Sequence, residues 1–240
     1  MDLPLDPLAL AAALPDTAFW VETRSWLLSG AEVLAAPGGR LVIDHGDPPS
    51  GAVVGRPDAA VLRDALAGVS HDFELVVQCD ARDETLAILP EWRALQAVLH
   101  LRDEPFAAGL IPAGVIVSSP PDPAVIERLP EENRAWESTC DALAVLFVDG
   151  HPVASAQAAM TETLWDVGID TYDPAQRRRC YATPAFEGLA SFLAGTGRQP
   201  VWCAYPQNVA SMRFAAKLGF RPVGEIAVLA PPHAPPPDFG

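Results

Sequence analysis

Lysine is almost absent from this 240-residue chain: Lys217 is the only one, and arginine supplies the rest of the 16 basic residues. Against 31 acidic residues they leave a formal net charge of -15. A surface of that sign repels phosphate backbones, which excludes nucleic acid as a partner. It favours encounter with cations such as amines instead. Cysteine is scarce and scattered. Cys79, Cys140, Cys180 and Cys203 form no CxxC pair, and no histidine stands at metal-ligand spacing. That pattern argues against a zinc site and a disulfide framework, and for a reducing compartment. Long apolar runs are missing too. The opening "MDLPLDPLALAAALPDTAFW" has acidic flanks and no basic residue before Arg24, so neither a signal peptide nor a membrane span is expected, and the expectation is a soluble cytoplasmic protein. Gly-x-Ser-x-Gly, Walker and complete Gly-x-Gly-x-x-Gly patterns are absent; "GTGRQP" at 195–200 lacks the third glycine and reads as a helix stop. No internal repeat is evident.

Half of the chain is hydrophobic and a fifth is charged, which is the composition of a globular protein with room for one large domain or two modest ones. Proline and glycine cluster in "DEPFAAGLIPAG" and "SSPPDPAV". This places a domain boundary near residues 108–112: a domain over 1–110, a second over 111–229, and a loose Pro-rich tail over 230–240. In the first, "GAVVGRPDAAVLRDALAGV" reads as a short apolar run followed by a helical pattern, "FELVVQC" as a strand, and "ETLAILPEWRALQAVLHL" as a strand or turn followed by a helix. It is a small α/β module without a chemical motif.

The second part is more legible. "VIVSS" is a candidate strand, followed by short helices at 123–129 and 131–140. "ALAVLFVDGHPVASAQAAM" reads as a hairpin turning at Asp149-Gly150, a dipeptide that tolerates positive φ. "LWDVGID" is a third strand. A helix from about Thr183 to Ala194 follows, with Thr183 suited to cap it, Pro184 to its first position, and Phe186, Leu189, Ala190 and Leu193 on one apolar stripe. "PVWCAY" is a strand, and "NVASMRFAAKLGF" a helix capped by Asn208 and stopped at Gly219. A last strand spans about 221–229.

Three arginines, Arg177, Arg178 and Arg179, stand directly before the first of these helices. A helix N-terminus is already electropositive, so cations there are disfavoured unless an anion is held between them. A solvated basic turn is the alternative.

The order hairpin, strand, basic turn, helix, strand, capped helix, with "RRRCYA" at 177–182 and "NVASMRFAAKLGF" at 208–220, resembles the GNAT superfamily of acyl-CoA-dependent N-acetyltransferases over roughly residues 113–229. The resemblance implies an α+β fold, with a mixed, mostly antiparallel sheet flanked by helices; the smaller α/β domain precedes it. It implies acetyl-CoA as acyl donor, no metal, and an amine of a small molecule or peptide as acceptor, attacking directly in a ternary complex. Arg177, Arg178, Arg179, Cys180, Tyr181, Ala182 and Thr183 match the pyrophosphate loop, whose first glycine is Cys180 here; a small hydrophobic filler is the expected role of that thiol. Ile169, Asp170 and Thr171 match the segment that meets pantetheine, and Asn208 is a cap that can also touch cofactor. Asp166 matches the general base on the strand before the loop. The family's tyrosine acid is replaced by Ala215, leaving Ser211, Tyr205 or water to protonate the thiolate, or the acid dispensable. Two other readings stay open: an acyl-CoA-binding sensor with weak catalysis, and a thiol enzyme using Cys180 or Cys203.

Overall fold

The computed structural model describes residues 3–177 and 179–236. Arg178, an expected cofactor contact, and the last four residues of the Pro-rich tail lie outside them. The chain forms two compact units, one from Met1–His100 with Cys203–Phe239, the other from Leu101–Trp202.

The first unit begins with helices α1 (Pro7–Ala13) and α2 (Val21–Leu28), then strands β1 (Glu32–Ala36), β2 (Gly39–Asp44) and β3 (Ser50–Gly55), helix α3 (Ala59–Leu66), strand β4 (Glu74–Gln78), helix α4 (Arg82–Ile88) and strand β5 (Arg93–Arg102). After the second unit it resumes with α8 (Val209–Lys217) and β11 (Phe220–Ala230). Its strand order is β1-β2-β3-β4-β11-β5. β1, β2 and β3 pair antiparallel, β3 and β4 parallel, and β4 and β11 antiparallel. Leu41, Val53, Leu62, Phe73, Leu75 and Leu229 share one core. Arg24 is buried in α2 and donates to the carbonyls of Ala11 and Leu14, which ties the end of α1 down and gives two of its backbone acceptors a partner.

The second unit contains β6 (Val115–Ser118), α5 (Pro123–Ile126), α6 (Glu131–Ser138), β7 (Ala142–Val148), β8 (His151–Met160), β9 (Leu164–Thr171), α7 (Ala182–Leu193) and β10 (Gln199–Ala204). The order is β10-β9-β8-β7-β6, antiparallel except for the parallel β9/β10 pair. β7 is a near-continuous apolar run because both of its faces are covered. Leu143 and Val145 meet Val125 and Leu129 on the α5/α6 side, and α7 packs on the other face. Asp149 and Gly150 both take positive φ, 50° and 81°, as the Asp-Gly hairpin requires.

Apart from helix α4 (Arg82–Ile88), which stands where a strand or turn was expected, the elements follow the sequence closely, with three differences. Residues 93–102 form strand β5, not a helix: Ala, Leu and Gln favour helix by propensity, but packing beside β11 overrides a weak local preference. Helix α7 starts at Ala182, so Thr183 sits inside its first turn and does not cap it; Tyr181 takes the cap position and no side chain caps the helix. The third difference is a repeat. The series α-α-β-β-β-α-β-α-β runs from α1 to β5 and again from α5 to β11. The strand senses repeat with it, two antiparallel steps and then a parallel one, in β1-β2-β3-β4 and in β7-β8-β9-β10.

Candidate active site

Strand β9 sorts its side chains by alternation. Trp165 turns to α7, where its ring stacks on Phe186 with centroids 6.1 Å apart. Asp166, Gly168 and Asp170 therefore share the opposite face, the α5/α6 side. Gly168 lies opposite Gln157, and a Cβ there would stand 2.5 Å from Gln157 Cγ, so the glutamine lies directly over the glycine.

Asp166 is half-buried, yet its Oδ1 is fully buried and has no hydrogen-bond partner among the described residues. Burial pushes its carboxyl up to about 6, partly offset by the Val167 N–H. Such a group is ionised at neutral pH but takes a proton more readily than an ordinary aspartate, which suits a general base.

Asp166 also marks where the sheet opens. β9 and β10 are in register only from Leu164↔Gln199 to Asp166↔Val201, whereas β9 runs on to Thr171. Beyond Asp166, the backbone of 167–171, which includes Ile169, Asp170 and Thr171, stays paired with β8 but lies past the last residue paired with β10. A strand edge of this kind accepts an extended chain bearing amides.

The basic turn covers ten residues, from Tyr172 to Tyr181, between β9 and α7. Arg177, Arg179 and Cys180 are exposed. Cys180 is not a buried filler: it is exposed and its φ is 61°, the left-handed conformation that glycine adopts without strain. No side chain caps α7, so its N-terminus offers a positive dipole end beside the arginines, with the Thr183 N–H bonded back to Cys180 O at 3.2 Å. The residues present suit a diphosphate.

One cluster gave no sequence signal. Glu137 of α6 is fully buried and accepts from Ser155 Oγ at 2.7 Å and from Tyr172 OH at 3.1 Å. From the same helix, Asn133 Nδ2 donates to Asp170 Oδ2 at 2.7 Å. Asp170 is thus held by α6, on the face it shares with Asp166. Only the i, i+4 spacing of Asn133 and Glu137 hints at this, in a helix whose composition otherwise reads as a solvated face. Burial pushes the Glu137 carboxyl up to about 7; the two hydroxyls pull it down and Asp170 pushes it further up. Between pH 4.5 and 7 the folded chain therefore holds a proton here that the unfolded chain has lost, so stability falls as pH rises through that window. In Glu137→Gln the melting temperature measured from pH 5 to pH 8 should lose this slope. The difference is on the order of 2 kcal/mol, or roughly 5 °C. An unchanged slope would show that Glu137 keeps an ordinary carboxyl.

Tyr205, Asn208 and Ser211 belong to the first unit, and the Asp166 strand and the basic turn to the second. Asn208 caps α8, its Oδ1 accepting the Ser211 N–H at 3.0 Å. Tyr205 OH donates to Glu74 Oε1 at 3.1 Å, and burial followed by that carboxylate pushes the phenol well up. A proton so held is a poor one to give away. Ala215, expected to stand in place of a tyrosine acid, is fully buried. A shallow cleft of about 400 Å³ in the first unit is lined by Cys79, Val98, Pro222, Gly224 and Glu225 and includes none of the expected site residues. Among the described residues no group of three or more metal-ligating side chains exists, and no helix is long and apolar enough to cross a membrane.

No protein-family model and no curated protein sequence matches the chain. Solved structures do. A GCN5-related N-acetyltransferase-like protein from Streptococcus suis is 17% identical with a TM-score of 0.68, over 92% of this chain and 95% of that one. A protein assigned to the GNAT acetyltransferases from Novosphingobium aromaticivorans is 18% identical with a TM-score of 0.66, over 89% and 97%. A tandem GNAT protein from the clavulanic acid biosynthesis pathway, solved without AcCoA, is 15% identical with a TM-score of 0.57, over 97% and 94%. The chain has the fold of the GCN5-related N-acetyltransferases. The likeness extends over both parts of the chain, not only over the part whose motifs carried it in the sequence.

Proposed function

We propose that the chain is an acyltransferase that moves an acetyl group from acetyl-CoA to an amine, by direct attack in a ternary complex. The observation that carries this is the opening of β9 from β10 at Asp166, with an uncapped helix and two exposed arginines at the other end of the same strand. In this reading the edge of 167–171 holds the pantetheine arm, and Arg177, Arg179 and the first turn of α7 hold the diphosphate. The thioester supplies the acyl group. Asp166 takes the proton that an alkylammonium must lose before it can attack. Asp166, Asp170 and Glu137 share a face, which favours a cationic acceptor. In sequence terms the catalytic domain is the 111–229 span, and the expected setting is the cytoplasm. The strained Cys180 and the buried Ala215 favour a second reading, an acyl-CoA sensor with weak turnover; acetyl-CoA consumption against a panel of amines separates the two.

Calorimetric titration tests the binding half of the proposal. Arg177→Ala/Arg179→Ala should weaken CoA about 10²-fold, the loss of two charge-assisted contacts. It should leave pantetheine, which has no phosphate, within about threefold. Equal weakening of both ligands would assign the arginines to the fold. No rise in melting temperature with millimolar CoA would sink the acyl-CoA reading itself.

A further inference from the structure

The two halves of the chain repeat one series of elements but treat the turn before the helix that follows their parallel crossover in opposite ways. In the second half this turn runs from β9 to α7, in the first from β3 to α3. We infer that the chain carries a single acyl-CoA site, in the second half, and that the equivalent position of the first half is a filled structural turn. The inference rests on the acyl-CoA reading above and goes beyond it, because a repeated fold by itself predicts two sites.

The first-half turn is only three residues long, Arg56 to Asp58. Four N–H groups of this turn and of the start of α3 are bonded within the protein. The Arg56 N–H goes to Gly38 O at 2.9 Å, and Pro57 has none. The Ala60 and Val61 N–H groups go to Asp58 Oδ1 at 2.9 and 3.3 Å, and the Leu62 N–H to Asp58 O at 3.0 Å. A carboxylate of the chain itself thus occupies the electropositive end of α3, where a phosphate would otherwise be held.

Space is closed as well. The β1–β2 turn lies against this turn backbone to backbone. A Cβ at Gly38 would stand 2.4 Å from Arg56 O, and one at Gly39 would stand 2.7 Å from Pro57 N. A diphosphate needs more room than a methyl group. The guanidinium of Arg56, the one cation of the turn, is paired with Glu84. The second-half turn also bonds N–H groups internally, those of Arg177, Arg179 and Thr183, but it differs in its ten-residue length, in a helix without a side-chain cap, and in the exposure of Arg177 and Arg179. The first half keeps another use. Its β4 is the antiparallel partner of β11, from Leu75↔Leu229 to Gln78↔Ile226, so it completes the pairing of the last strand of the second half.

Native mass spectrometry and calorimetry with CoA count the sites directly. One equivalent per chain is expected, lost in Arg177→Ala/Arg179→Ala and kept within twofold in Arg56→Ala. That last change removes only an exposed ion pair, so the fold should survive it. Two equivalents would overturn the inference and leave the acyl-CoA reading standing. So would one equivalent that survives the double change but is lost with Arg56→Ala. No binding to the folded protein at millimolar CoA would overturn both.

Discussion

Phe186→Ala should lower the melting temperature by about 10 °C, the largest stability loss expected for a single change in the second unit. The side chain is fully buried at the centre of an aromatic cluster. Its ring stacks on Trp165 at 6.1 Å and meets Phe106 and Trp202 edge-on, at 5.3 and 5.8 Å. Truncation removes a whole ring and leaves a hole that neighbours this rigid cannot fill, and such changes cost about 3–5 kcal/mol. Edge-to-face and stacked contacts add to the loss beyond the area involved. The consequence reaches the site, because Trp165 adjoins Asp166 on β9 and Phe186 lies in the second turn of α7. The near-UV circular dichroism of the cluster should therefore collapse first on heating. Phe186→Leu, which refills most of the volume, should recover more than half of the loss. A melting temperature within about 3 °C of the wild type for the alanine variant would mean that the unit is held together elsewhere.

How much of this was legible in the sequence depended on whether the signal was local. The Asp149-Gly150 turn, the Asn208 cap and the Phe186–Leu193 stripe are each fixed within a few residues, and each stands where expected. The start of α7 was misplaced because Thr183 and Pro184 are good cap and first-turn residues. The left-handed Cys180 brings the chain into the helix sooner. Strand β5 was hidden by residues that favour helix, and only its neighbour in the sheet decides its state.

The repeat was hidden for another reason. Two copies of a fold can keep their element order while sharing little beyond hydrophobic pattern, and the first copy lacks the residues that would announce it. "GRPDAA" at 55–60 and "RRRCYA" at 177–182 occupy equivalent turns yet share only their arginine and their final alanine. The site shows the same division. Asp166 could be placed on the right strand by motif, and alternation then gave its face. The partners of Glu137 could not be foreseen, because Ser155, Tyr172 and Asp170 reach it only after β8, β9 and α6 have packed.

Asp166→Asn should reduce kcat/KM about 10²-fold or more at pH 7, with little change in the melting temperature. Asparagine keeps the shape and removes the basicity. The wild-type carboxyl sits near 6 because burial disfavours its charge. At pH 7 most of it is ionised, and it accepts a proton about two pH units more willingly than a free aspartate. An alkylammonium acceptor is protonated at that pH, and its lone pair becomes available only when a base takes the proton. Activity of the wild type should therefore fall as pH drops through about 6, a limb that the asparagine variant should lack. Toward high pH the deficit should shrink, since free amine then reaches the site without help. The stability arm has the opposite sign. A folded carboxyl above its unfolded value makes the native state lose stability as pH rises from about 4 to about 6. Removing the charge should leave the variant at least as stable at pH 7, so lost activity cannot be put down to unfolding. The measurement is kcat/KM against pH for both forms at fixed ionic strength, with melting curves alongside. A variant within about threefold of the wild type across the whole range would clear Asp166 of the role, leaving catalysis to the positioning of the two substrates alone.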